Sequence, residues 1–200
     1  MSDGVKAVSV AIGLRVKTGR ATAILLAGPV DAPTVSGRRA IQLWDPAIPE
    51  SHQPYHAELE LPPEKSAAVV KRAIAAVESL ALTAMKDLAT EVRRSGQNLR
   101  GVGLVVGSDT DPRRIGNPHV RAHALEGKLF RDVLETAARE LTLPCVVVVE
   151  REAFDKAAAA LGRKPAALKR IVSDYRRSAG APWGGEEKTA TVAAWMALAR

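Results

Sequence analysis

The chain is poor in the residues that staple, stack or anchor a protein. It has one cysteine in 200 residues, so no internal disulfide can form. Cys145 lies within the apolar run 143–149 and reads as a small buried hydrophobe. Aromatic residues make up 4%; the core must therefore be built from Ala, Val, Leu and Ile, and an aromatic platform for stacking unpaired bases is disfavoured. No run reaches the ~18 apolar residues of a membrane span. Near the start, Lys6 is an isolated charge, and Arg15 and Lys17 interrupt the apolar run too soon for a signal peptide. The cytoplasm is the expected location. Several motifs are also missing. There is no Walker loop and no Gly-x-Ser-x-Gly elbow, and Gly101-Val102-Gly103 lies inside a strand pattern where it opens no helix.

What is present describes one globular domain. Hydrophobic residues are 46% and charged residues 26%, a balance that excludes a disordered chain. The net charge is +7, and its distribution is uneven. Residues 151–200 hold ten Lys/Arg against five acids, so +5 of the excess sits in the last quarter. A basic face attracts phosphate polymers through counterion release. The candidate nucleic-acid contacts are Arg163, Lys164, Lys169, Arg170, Arg176 and Arg177. The competing reading is an ordinary solvated surface.

The order of elements follows from periodicity and punctuation. Residues 5–16 and 21–26 form a hairpin around a turn at 17–20, residues 28–37 a loop, and 39–44 a third strand. Prolines 46, 49, 54 and 62 exclude a helix over 45–62 and mark an ordered excursion. Pro63 opens a long helix that runs to Ser95, with Gly96 as its stop. Residues 99–106 and 144–149 are continuously apolar, as strands covered on both faces are. Between them a helix capped by Asn117-Pro118 runs to about Leu141. Helices follow at 153–161, 165–178 and 186–200. There is no internal repeat, low-complexity tract or clear linker.

This order resembles the ribonuclease H-like fold of RuvC-type resolvases. Ala11-Ile12-Gly13, then Thr18-Gly19, then residues 21–26 follow the family's first strand, turn and second strand. Residues 122–140, with Gly127 near their middle, resemble its next helix. Gly162-Arg163-Lys164-Pro165 through Lys169-Arg170-Ile171-Val172 resemble its Gly-rich basic segment, and residues 190–199 have the small-residue texture of its last helix. The resemblance implies an α/β domain over residues 1–200: a five-stranded mixed sheet with helices on both faces, and strand 99–106 parallel to strand one. It also implies metal-binding carboxylates on the first strand, the fourth strand and the last helix. The matching positions here are Gly13, Gly107, Lys188 and Thr191. Two-metal phosphodiester cleavage needs oxygen ligands around divalent ions, so the resemblance implies a nuclease-like module without that site.

Other residues offer a relocated site. His119 and His123, four apart on one helix face and continued by Glu126, suit Zn²⁺ or another transition metal. Asp109 and Asp111 on the preceding loop could approach the same edge as catalytic groups. A weaker set is His52, His56, Glu58 and Glu60; if 56–60 is extended, its last three members alternate onto one side. Glu150 and Glu152 follow the last strand, where α/β sheets bind ligands, and could act there as catalytic acid or base; pairing of such acids with a neighbouring Arg, here Arg151, is the plain alternative. A phosphate could also sit at the helix start at Asn117, helped by Arg113, Arg114 and Arg121. No cofactor is named outright; a divalent metal is the candidate. Candidate partners are DNA or RNA, a second copy of the chain, or another protein anchored on Trp183 and Trp195. Three functions remain open: a non-catalytic nuclease-like module binding nucleic acid, a metal-dependent phosphodiester-cleaving enzyme with a relocated site, and a protein-interaction module.

Overall fold

The computed structural model describes residues 7–200. Residues 5 and 6 of the expected first strand, Lys6 among them, lie outside the described residues. Five strands form one mixed sheet in the order β3-β2-β1-β4-β5. Strands β1 (Ser9–Lys17) and β2 (Arg20–Ala27) make the hairpin, and β3 (Thr34–Gln42) extends it antiparallel. The third strand thus starts inside the segment expected as loop, and it ends before Trp44. Strand β4 (Asn98–Val106) pairs parallel to β1, and β5 (Cys145–Val149) parallel to β4. The neighbouring of strand one and 99–106 is as expected.

Alternation along β1 assigns the two faces. Val10, Ile12 and Leu14 join the core beneath α2 (Pro63–Arg94) and α3 (Pro118–Glu140), together with Val77, Met85 and Phe130. Ala11 belongs to the opposite core, beneath α4 (Ala153–Ala160), α5 (Pro165–Asp174) and α7 (Gly185–Leu198). A short α6 (Arg176–Ala179) precedes α7. The sheet is therefore covered on both faces, which is why β1 and β4 carry apolar residues without a polar stripe.

Helix α7 lies unusually close to the sheet. Gly13 and Gly103 are register partners on β1 and β4. A Cβ placed on Gly13 would stand 1.9 Å from the Ala190 carbonyl oxygen, and one on Gly103 would stand 2.2 Å from that of Ala193. The glycines and the facing Ala190, Ala193 and Ala194 allow backbone to pack on backbone.

The proline-rich stretch departs from expectation. It contains a 3₁₀ turn (Pro49–Ser51) and a helix, α1 (Pro54–Glu60). Pro49 and Pro54 do not break these helices; they stand at the first position, where no amide donor is needed and φ is already suitable. The same placement recurs at Pro63, Pro118 and Pro165. Trp183 and Trp195 are also corrected: they are 8% and 1% exposed. Their indole N–H groups donate to the Val172 and Val30 carbonyls at 2.7 Å. Trp183 ties α5 to the loop before α7, Trp195 ties the β2–β3 connection to α7, and neither offers an exposed anchor.

Candidate functional site

The C-terminal ends of β1 and β4 open into a cavity of about 430 Å³. Its walls include Arg15, Lys17, Arg20, Ser108, Thr110 and His123, and among the described residues no acidic side chain is part of that lining. Arg15 is 5% exposed. Its guanidinium donates to both carboxylate oxygens of Glu150, just past β5, at 3.0 and 2.5 Å, and to the Val16 carbonyl. Such a two-pronged pair satisfies a buried cation with geometry that a lysine could not reproduce. Of the two acids for which Arg151 is the expected partner, Glu152 does meet it, whereas Glu150 is taken by Arg15.

A second acid holds the other two cations. Glu186, in the first turn of α7, accepts from Arg20 at 2.7 and 2.8 Å, from the Thr22 hydroxyl at 2.8 Å and from Lys17 at 2.8 Å. The hydrogen-bonded Arg20 holds the Glu186 carboxyl well below the usual carboxylate range; burial opposes this, and Lys17 and Thr22 reinforce it. The N-terminus of α7 favours the same ionised form.

The positions that the resemblance assigns to metal ligands do not fit a pair of hard cations. Gly13 supplies no donor and is closed over by the α7 backbone. Gly107 has no side chain, and Lys188 is a cation. Thr191 is fully buried, its hydroxyl donating to the Glu187 carbonyl at 2.7 Å. No step through two Mg²⁺ ions can be built on this donor set.

Asp109 and Asp111 lie beside the cavity, in a neighbouring hollow with Arg113, Lys128 and Arg131. Asp111 caps the 3₁₀ turn Pro112–Arg114 and grips the Arg113 guanidinium at 2.9–3.1 Å. Its hydrogen bonds from the Arg113 side chain and amide lower its carboxyl below the ordinary range. At the α3 start, the Asn117 side chain accepts from the Val120 amide, and Arg121 donates to the Ile115 and Gly116 carbonyls. The supposed phosphate seat is thus largely engaged in holding its own loop.

The histidines do come together, in a grouping that the sequence divided between two sets. His56 of α1 reaches across to His119 and His123 of α3. Its ring centroid is 4.7 Å from that of His119 and 4.2 Å from that of His123; the latter two are 4.8 Å apart. One ligating nitrogen from each lies within 4.8 Å of the others. Glu126, one turn beyond His123, is fully buried, and its Oε1 lies 2.7 Å from His56 Nδ1. His123 therefore faces both this cluster and the cationic cavity. His52 packs edge-on against Trp44, and Glu58 and Glu60 are exposed on helical α1, so the extended alternation expected of 56–60 does not occur.

The basic segment is partly committed to structure. Arg163 donates to the Asp31 carbonyl and lies over the Trp195 ring. Lys169 lies over Phe154, and Arg177 pairs with Asp174. Lys164, Arg170 and Arg176 are exposed and make no ion pair among the described residues. The apolar side of α5 is seated as expected, with Leu168 and Val172 fully buried. Cys145 is half-buried, and burial pushes its thiol up to about 12, so it is not a thiolate nucleophile at neutral pH.

No protein-family model matches the sequence, and no curated protein is similar to it. Solved structures are. A Thermus thermophilus RuvC in complex with Holliday junction substrate superposes with a TM-score of 0.52 at 12% identity, over 96% of this chain and 92% of that one. A second Thermus thermophilus RuvC structure gives 0.49 at 13% identity, over 94% and 92%. The first match spans nearly all of both chains and agrees with the hairpin-led mixed sheet and its two helical layers: this chain has the ribonuclease H-like fold of RuvC type.

Proposed function

We propose that this chain is a nuclease-like module that binds nucleic acid through phosphate contacts and does not cut it by two-metal chemistry. The observation that carries the reading is the cavity at the strand ends, where three cations, Arg15, Lys17 and Arg20, line the wall and are matched by two carboxylates, those of Glu150 and Glu186, which leaves a positive excess. An anion is the complementary ligand for such a surface. The solved RuvC complex, on the same fold, holds a Holliday junction. Lys164, Arg170 and Arg176 add a second set of exposed cations on α5 and α6 or just before them.

Phosphate contacts position a protein without reading bases. Binding is therefore expected to be sequence-tolerant and steeply salt-dependent. The test is fluorescence anisotropy of labelled duplex and branched DNA over a salt series, with the chain and with the triple variant Lys164→Ala, Arg170→Ala, Arg176→Ala. None of the three is buried or paired, so the fold should be kept. The slope of log affinity against log salt should flatten by roughly 0.9 for each phosphate that the variant no longer neutralises. Absence of binding at low salt would refute the reading; an unchanged slope would confine the DNA to the cavity.

A second reading, a phosphodiester-cleaving enzyme with a relocated metal site, is favoured by one observation. His123 belongs both to the histidine cluster and to the cavity wall. Asp109 and Asp111 do not join that cluster, so such an enzyme would rely on imidazole ligands.

A further inference from the structure

We infer that His56, His119 and His123 bind a transition-metal ion of the Zn²⁺ class, with Glu126 as the carboxylate that orients His56. The inference concerns metal binding alone and stands apart from the nucleic-acid reading.

Three facts converge. First, one nitrogen from each ring lies within 4.8 Å of the others. Tetrahedral zinc holds imidazole nitrogens at ~2.0–2.1 Å, which requires separations of about 3.4 Å; small side-chain rotations close the difference, and His119 and His123 are exposed and able to make them. Second, His56 is already aimed. Its Nδ1 is 2.7 Å from Glu126 Oε1, and its Nε2 is buried without a hydrogen-bond partner. If Nδ1 carries the proton donated to Glu126, Nε2 presents a lone pair to the cluster. If Nε2 carried a proton as well, it would be a buried donor with nothing to receive it. The carboxylate–histidine arrangement is the one that fixes ring orientation at zinc sites. Third, Glu126 is fully buried, and its Oε2 has no hydrogen-bond partner, lying 3.9 Å from His123 Nδ1. A buried carboxylate with an unsatisfied oxygen is costly, and a dication among the three rings would offset that cost.

The donor set selects the metal. Imidazole suits Zn²⁺, Co²⁺ or Ni²⁺, whereas Mg²⁺ calls for oxygen ligands. Three protein ligands with two exposed members leave a coordination position for water or another ligand.

The test uses the untagged 200-residue chain, stripped with a chelator and titrated calorimetrically with Zn²⁺, with Co²⁺ absorption as a spectroscopic readout. One ion per chain is expected, together with the visible bands of low-coordinate Co²⁺. His119→Ala and His123→Ala change exposed residues. They should keep the far-ultraviolet circular dichroism of the parent and bind Zn²⁺ at least about 100-fold more weakly. Glu126→Gln, acting through His56, should weaken binding roughly 10- to 100-fold. Should Glu126→Gln fail to fold, the two histidine variants still decide the question. Absence of saturable one-to-one binding, or affinity unchanged in both histidine variants, would overturn the assignment and leave a buried histidine–glutamate pair.

Discussion

Gly13 and Gly103 let the α7 backbone pack directly on the sheet. They are register partners beneath α7, and each would bring a Cβ to within about 2.2 Å of a helix carbonyl oxygen. Neither side of that contact is a flexible side-chain tip; both are backbone, so the strain has little room to relax. Gly13→Ala should destabilise the chain by about 3 kcal/mol, read from the urea midpoint at unchanged m-value. Gly13→Asp, which restores the residue type that the family resemblance assigns to this position, should be at least as destabilising and should create no metal site. A Gly13→Asp variant as stable as the parent would mean that α7 can lift away from the sheet.

At the scale of elements, α7 is fixed at its first turn as well as along its length. Glu186 gathers Arg20, Lys17 and Thr22, so the helix start is tied to the β1–β2 hairpin. Its folded-state carboxyl is held below the unfolded value near ~4.3. A depressed carboxyl contributes stability that is fully present above the unfolded value and is lost as pH falls through the folded one. Glu186→Gln should therefore cost roughly 1–2 kcal/mol at pH 7. The difference from the parent should shrink as pH drops below about 4, which denaturation at a series of pH values would follow. A difference independent of pH would assign the loss to packing. How far these elements could be read in advance varied with their cause. The hairpin, the long helix between Pro63 and Gly96, and the two covered strands were legible because local pattern and punctuation decide them. Helix α1 was not. Four prolines in 45–62 suggested a break, whereas two of them, Pro49 and Pro54, sit where helical turns begin. Trp183 and Trp195 were misread because a chain with few aromatics gives no sequence signal for which ones fill the core. Candidate-site residues fared similarly. His119, His123 and Glu126 share one helix and were visible together. His56 comes from α1, and the partners of Arg15 and Arg20 lie 135 and 166 residues away, a distance that no local pattern bridges.

Over the whole molecule, the charge excess of +7 takes on a shape. Three cations line the cavity at the ends of β1 and β4, and three more stand exposed and unpaired among the described residues around α5 and α6. At the strand ends, Arg15 and Glu150 make an ion pair. We propose that this surface holds nucleic acid without two-metal cleavage. The most direct test is a gel assay of labelled four-way junction and duplex DNA, incubated with the chain in Mg²⁺ or Mn²⁺ at low salt and run under both native and denaturing conditions. The expected result is a salt-sensitive retarded complex whose DNA is recovered full length. A metal-dependent cut product, above all one abolished by Asp109→Ala, would contradict the claim and show that a cleavage site has been rebuilt beside the cavity.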